Sequence, residues 1–318
     1  MANLQRVYRG YDNVWDINRT TAQQQYTFGF DRPRDIIGLR AASIRAAREF
    51  QQQYPDKEIV ILYSGGMDSE WLCESFYLAG VPFRPLIVDY TDGINESANA
   101  HDLEWANRWL ERRGVQTAIR WAFDLRKWYG SAEQKEIAER SQMSELAYSG
   151  QFRAMLEFQH KDRIFLNGYD EPVIVADDGG DGGDGDGKER TWNLVYNERH
   201  YAIHKFMNAY NFHTQPGGWI DANVFAAYTT CPQWQVLVAN LVEPKVWNSE
   251  LVKTRIYASA FPFMEARPKY TGFERMLDVV VPATKMWRQY IEETYGTLWL
   301  QDWSRPIKDV WLELKGDV

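Results

Sequence analysis

The sequence predicts an α/β protein: a doubly wound parallel sheet of about five strands followed by a mostly helical, aromatic-rich C-terminal lobe. Three observations carry that expectation. Short apolar runs at 59–63, 83–89 and 163–168, with a looser one at 115–123, lack polar alternation, as strands covered on both faces require. Segments with apolar residues three and four apart separate the first runs, and strand, helix, strand in short connections is the pattern of right-handed parallel crossovers. The string Ser64-Gly65-Gly66-Met67-Asp68-Ser69 fills the link between the first run and the next helical segment.

Taken in order, residues 1–30 are polar with scattered aromatics and no clean period, which predicts an irregular N-terminal arm. Asp31 and Pro33 open a helical stretch with Ile37, Ala41, Ile44 and Ala47 on one face, ended by Tyr54-Pro55-Asp56. Residues 59–63, Ile-Val-Ile-Leu-Tyr, give the first strand, and the helix after the glycine string turns Leu72, Phe76 and Ala79 inward and closes at Gly80. A second strand spans 83–89. Residues 96–113 read as a helix, with Asn95 as N-cap and Leu103, Ala106 and Leu110 inward. A third strand at 115–123, helical material over about 132–161 and a fourth strand at 163–168 complete the pattern, so 31–196 is expected to form one α/β domain.

Within that domain, residues 177–187 contain six glycines and five aspartates, too much backbone freedom and too much like charge for regular structure. Strand-like residues at 172–176 and 191–196 flank the run and predict a mobile hairpin tip. The run holds one GGxGxD unit of the calcium β-roll kind, but a roll needs several stacked copies. Residues 197–318 carry much of the aromatic excess of 14 Trp, 18 Tyr and 15 Phe, and form the expected substrate or partner lobe.

The 318 residues hold 36 Lys and Arg against 44 Asp and Glu, a net charge of -8, which disfavours broad binding to nucleic acid. A small-molecule partner is the expectation. No apolar run of about 18 residues and no basic-then-apolar leader is visible, so a cytoplasmic protein with no membrane partner is expected. Two cysteines, Cys73 and Cys231, are too few for a disulfide framework. Exposed aromatics leave a homo-oligomer open.

Adjacent glycines in a strand-to-helix link let backbone N–H groups approach an anion, and the helix N-terminus adds partial positive charge. Ser64 and Ser69 can donate to phosphate oxygens. A carboxylate beside a polyphosphate, Asp68, makes sense with a hard cation such as Mg²⁺ between them. The bland alternative is a plain glycine turn with Asp68 or Ser69 as cap.

The string and its setting resemble the PP-loop ATP pyrophosphatase superfamily, the adenine nucleotide α hydrolase-like or HUP-type proteins, whose fingerprint is SGGxDS directly after the first strand. The resemblance covers about residues 57–175 and is nearest to PAPS-reductase-like and asparagine-synthetase-like members. It implies ATP and Mg²⁺ as cofactors and cleavage between the α and β phosphates. It places Ser64, Gly65, Gly66, Met67, Asp68 and Ser69 on ATP, with Gly168 of Asn167-Gly168-Tyr169-Asp170-Glu171 close by, and Asp89 of the Val88-Asp89-Tyr90 segment near the adenosine or the metal; a loop aspartate capping a helix is the competing reading for Asp89. Asp68 is the implied metal carboxylate, with Asp170 and Glu171 as candidates to complete the site; surface turn residues are the competing reading for those two. Lys269, in Arg267-Pro268-Lys269-Tyr270-Thr271-Gly272, is a candidate to neutralise charge on the α-phosphate, as late lysines do in some adenylating relatives; a solvated surface turn is the competing reading.

Departures from the family matter too. The C-terminal cysteine motif of PAPS reductases and the cysteine pairs of tRNA thiolases are absent, and Ala2 stands where a glutaminase domain would have its cysteine. The expected activity is therefore adenylation of a carboxylate or carbonyl oxygen with release of pyrophosphate, then displacement of AMP by a nitrogen nucleophile. Alternatives are sulfur or sulfonucleotide chemistry through Cys231, modification of a nucleotide or nucleic-acid base, and a non-catalytic nucleotide-binding regulator. His200 and His204, four apart with Glu198 and His213 nearby, are a weak metal signal.

Overall fold

The computed structural model describes residues 4–6, 14–16, 18–20, 23–25, 36–91, 93, 96–141, 149–168, 173–177, 191–196, 206, 209–210, 215–216, 222–239, 251–265, 267, 282–283, 285–286, 289–290, 293–294 and 303–306. Near the N-terminus, where an irregular arm is expected, β1 (Leu4–Arg6) pairs antiparallel with β2 (Val14–Asp16), and β3 (Asn18–Thr20) with β4 (Gln23–Gln25). Three-residue ladders are too short to leave a period in the sequence.

The first long element is helix α1 (Leu39–Gln53). Its buried face is Leu39, Ala42, Ser43 and Ala47, rotated from the expected stripe so that Ala41 is exposed. The cause is a polar contact: the Ser43 hydroxyl donates to the Leu39 carbonyl and accepts from the indole N–H of Trp71. Strand β5 (Glu58–Leu62) follows, then α2 (Met67–Ala79), β6 (Arg84–Thr91), α3 (Ala100–Arg113), β7 (Ile119–Asp124), α4 (Leu125–Trp128), α5 (Ala132–Ser141), α6 (Ser149–Glu157) and β8 (Arg163–Asn167). Gly80 and Gly114 end α2 and α3 in the left-handed conformation, at φ 70° and 64°. Helix α3 begins at Ala100 rather than 96. Asn99 stands before it, and its side chain accepts from the Tyr90 amide and donates to the Val88 carbonyl, tying the helix start to β6.

Beyond these lie β9 (Val173–Asp177), β10 (Thr191–Tyr196), β11 (Gln215–Pro216), α7 (Ala222–Thr229), α8 (Pro232–Ala239), α9 (Leu251–Ala260) and β12 (Trp303–Pro306). The expected hairpin flanks do pair: β9 and β10 are antiparallel, with β12 on the far side of β10. Of the acidic run, 178–187 lies outside the described residues, as do His200, His204 and His213.

The central sheet has five strands in the order β11, β8, β5, β6, β7, all neighbours parallel. From β5 the chain steps outward to β6 and β7, then returns to place β8 on the other side of β5. The winding direction reverses there, so the switch point lies between β5 and β8. This is the doubly wound parallel sheet that the sequence predicts.

Alternation along β5 divides the core. Ile59, Ile61 and Tyr63 face a layer holding α1, α2 and α3, together with Val224, Phe225, Tyr228, Trp234, Ile256 and Tyr257 from α7 to α9. Val60 and Leu62 face the other layer, with Phe123, Trp128, Ile137, Phe152 and Met155. The expectation of one inward face on α2 is too narrow. Met67 and every residue from Ser69 to Phe76 are buried, because α1 covers one side of the helix and α9 another.

Candidate phosphate-binding site

The loop after β5 is shaped by one glycine that no other residue can replace. Gly65 has φ 86°, and a Cβ there would lie 1.9 Å from the Asp102 carbonyl oxygen in the first turn of α3. Both the left-handed backbone and the close approach require glycine. Gly66 then precedes α2, whose first helical bond runs from the Glu70 amide to the Gly66 carbonyl.

Hydroxyl contacts close the loop on itself. The Ser69 hydroxyl donates to the Gly66 carbonyl and accepts from the Ser64 amide at 3.2 Å, and the Ser64 and Ser69 hydroxyls are 3.0 Å apart. The Gly66 amide donates to the exposed Ser64 hydroxyl. A hydroxyl and a backbone N–H are thus paired at the solvent side of a helix start, where the helix dipole favours an anion.

Gly168, directly after β8, closes the other side. A Cβ on it would stand 2.7 Å from the Ser69 amide nitrogen and 2.8 Å from the Asp68 carbonyl carbon, so the two links that leave β5 and β8 touch through backbone. This contact sits at the switch point, beyond the carboxyl ends of the strands, where open parallel sheets bind ligands. Six of the eight nucleotide positions expected from sequence are consecutive, and the fold adds Gly168 to them. The eighth, Asp89, lies on β6 where that strand runs past the end of β5. Its Oδ1 is buried and has no hydrogen-bond partner among the described residues, and such an oxygen suits a ligand proton or a cation.

The structure adds detail at two of these positions. Met67 is buried, and its sulfur accepts from the Thr254 hydroxyl, so it offers an anion its amide but not its side chain. Asp68 accepts from the Tyr257 hydroxyl at 2.9 Å, which orients the carboxylate. Asp170, Glu171 and Lys269 lie outside the described residues. Among the described residues no three His, Cys, Asp or Glu side chains form a metal cluster. Mg²⁺ commonly takes one or two carboxylates and completes its shell with phosphate oxygens and water, so Asp68 and Asp89 fit a metal that arrives with a polyphosphate.

Sequence reasoning missed the groups beneath the loop. Arg267 is buried, donates to the Gly65 carbonyl at 2.5 Å, pairs with Glu70 at 2.7 Å and lies over the Trp105 ring. Arg112 also reaches Glu70, at 3.1 Å. One turn on, Glu74 accepts from the Trp109 indole and pairs with Arg113. Glu70 and Glu74, four apart on a helix otherwise rich in apolar residues, are the signal that could have announced buried cations. Burial pushes the Glu70 carboxyl up while Arg267 and Arg112 pull it down, and the net shift is upward.

Cys73 is fully buried and burial pushes it well above the ordinary range; burial also raises Cys231.

No protein-family profile and no curated protein sequence matches the chain. Among solved structures, an NMN synthetase from Francisella tularensis is similar at 13% identity, over 83% of this chain and 98% of that one, with a TM-score of 0.32. The U34-tRNA thiolase NcsA from Methanococcus maripaludis, solved with its [4Fe-4S] cluster, is 10% identical over 83% and 82%, at a TM-score of 0.30. An NAD+ synthetase from Burkholderia pseudomallei is 12% identical over 80% and 91%, at 0.26. No described helix is long and apolar enough to cross a membrane.

Proposed function

We propose that this chain is an ATP pyrophosphatase of the PP-loop kind that adenylates a small acceptor. The observation that carries the reading is the contact of Gly168 with the Asp68–Ser69 backbone at the switch point. It brings the Ser64–Ser69 turn, the start of α2 and the end of β8 together beyond the carboxyl ends of the strands.

In this reading the β and γ phosphates of ATP sit on the amides and hydroxyls of Ser64 to Ser69. Asp68, oriented by Tyr257, holds Mg²⁺, with Asp170 and Glu171 as further carboxylates and Asp89 toward the nucleoside or the metal. A carboxylate or carbonyl oxygen of the acceptor attacks the α-phosphorus, and the bond to the bridging oxygen breaks. Pyrophosphate leaves with that bonding pair into the loop. A nitrogen nucleophile then attacks the adenylated carbon, AMP departs, and the nucleophile's proton goes to solvent. Lys269, two residues after Arg267 in the chain, is the candidate cation for the α-phosphate. Such catalysis is positional and electrostatic, with no covalent enzyme intermediate. The raised thiols of Cys73 and Cys231 favour this reading over sulfur chemistry, and the net charge of -8 favours a small acceptor over a nucleic acid.

Purified protein with ATP, Mg²⁺, ammonia and a panel of small carboxylic acids should release pyrophosphate and AMP with at least one acceptor. ATP turned over only to ADP and phosphate would overturn the reading. Nucleotide binding without turnover across acids, nucleotides and tRNA would leave a regulator instead.

A further inference from the structure

Arg267 has a task the loop motif does not describe. In a trans peptide the C=O and the N–H point in opposite directions, so whatever fixes one fixes the other. The Gly65–Gly66 peptide shows both ends: its carbonyl accepts from the Arg267 guanidinium on the buried side, and its N–H donates to the Ser64 hydroxyl on the exposed side. Two adjacent glycines form the linkage least restrained by side chains, and turning the plane over would aim a carbonyl at the anion.

We infer that Arg267 is a positioning residue that locks the Gly65–Gly66 peptide with its N–H toward the phosphate site; the assignment of that site rests on the function proposed above. The lock is itself held by two contacts, and a second arginine shares one of them. Nη1 pairs with Glu70 at 2.7 Å, the guanidinium plane lies over Trp105 with 4.8 Å between its carbon and the ring centre, and Arg112 shares Glu70 at 3.1 Å. The Arg267 side chain is only 4% exposed, so its charge acts from beneath the loop. A planar fork is what the geometry demands, since one guanidinium donates to a carbonyl with one nitrogen and meets a carboxylate with another, which a lysine ammonium cannot reproduce. The segment after α9 thus sets the working shape of a loop 202 positions earlier in the chain.

The test compares wild type, Arg267→Lys and Arg267→Met in titrations with inorganic pyrophosphate, alongside crystal structures of the variants without ligand. Arg267→Lys keeps the charge and gives the same readouts if the Met variant does not fold. Both variants should bind pyrophosphate about tenfold or more weakly, and the crystals should show the Gly65–Gly66 peptide turned or in two orientations. Full affinity in Arg267→Lys would mean that charge alone matters and would overturn the lock, as would an unmoved peptide in either crystal. If wild type binds neither pyrophosphate nor ATP, the proposed function fails, and the orientation of the peptide in the variant crystals alone decides the lock.

Discussion

The two ends of β5 carry the same trio, one glutamate between two arginines, and put it to different uses. Before the strand begins its buried run, Glu58 meets Arg84 from β6 at 3.0 Å and Arg163 from β8 at 2.5 Å, stitching three parallel strands at their amino ends. Beyond the carboxyl end, Glu70 meets Arg112 from α3 and Arg267 from the segment after α9. Glu58 is 34% exposed and Glu70 2%. Burial works against the charge of both. At Glu58 the hydrogen bonds and charges of Arg163 and Arg84 together outweigh it and hold the carboxyl below the usual range; at Glu70 it wins and the carboxyl is raised. The same residues therefore make a modest surface rivet at one end and a strongly coupled support for a loop at the other.

The largest effect should come from breaking the buried trio. Glu70→Ala leaves the Arg267 charge buried with its carboxylate gone, and should lower unfolding free energy by about 3–5 kcal/mol in urea titrations. Loss of less than about 1 kcal/mol would show that water reaches the site and that the two trios are alike. Gly65→Ala comes next: the positive φ costs about 1–3 kcal/mol, and the Asp102 carbonyl must also move, so thermal unfolding should fall by several degrees and pyrophosphate binding should vanish. Tyr257→Phe, which removes the hydrogen bond that orients Asp68, should cost about 1 kcal/mol of stability and weaken binding of Mg²⁺-ATP more than binding of metal-free ATP.

The exposed trio should give the smallest change. Glu58→Gln is expected to cost no more than about 1 kcal/mol at neutral pH, seen as a small drop in Tm. Its pH dependence has a definite sign. The lowered carboxyl binds its proton less tightly folded than unfolded, so its contribution is complete above the ordinary glutamate range and disappears as pH falls through the folded value. Wild type and Glu58→Gln should therefore converge on acidification. Curves that diverge would mean that the arginines do not hold this charge.

The contrast also separates what the sequence could disclose from what it could not. The loop was legible because a strand turning into a helix around a phosphate leaves contiguous demands: a β-branched run, glycines, hydroxyls, a carboxylate. The sheet was legible because Ile59 to Tyr63 and Ile164 to Leu166 need cover on both faces. Arg267 was not legible, since its partners Gly65, Glu70 and Trp105 lie 202, 197 and 162 positions away, and a buried arginine carries no local pattern. Tyr257 on Asp68 was hidden for the same reason. The rotated face of α1 escaped because Ser43, polar by type, is turned inward to meet Trp71. Neighbouring residues can announce a loop; what holds it in shape is written far along the chain.

In the proposed function the carboxyl end of β5, and not its amino end, takes the polyphosphate. Calorimetric titration of wild type, Gly168→Ala and Glu58→Gln with Mg²⁺-ATP tests it directly. One-site binding should be seen in wild type and Glu58→Gln and be lost in Gly168→Ala, whose Cβ would press on the Asp68–Ser69 backbone. Absent binding in wild type, or undiminished binding in a folded Gly168→Ala, would contradict it.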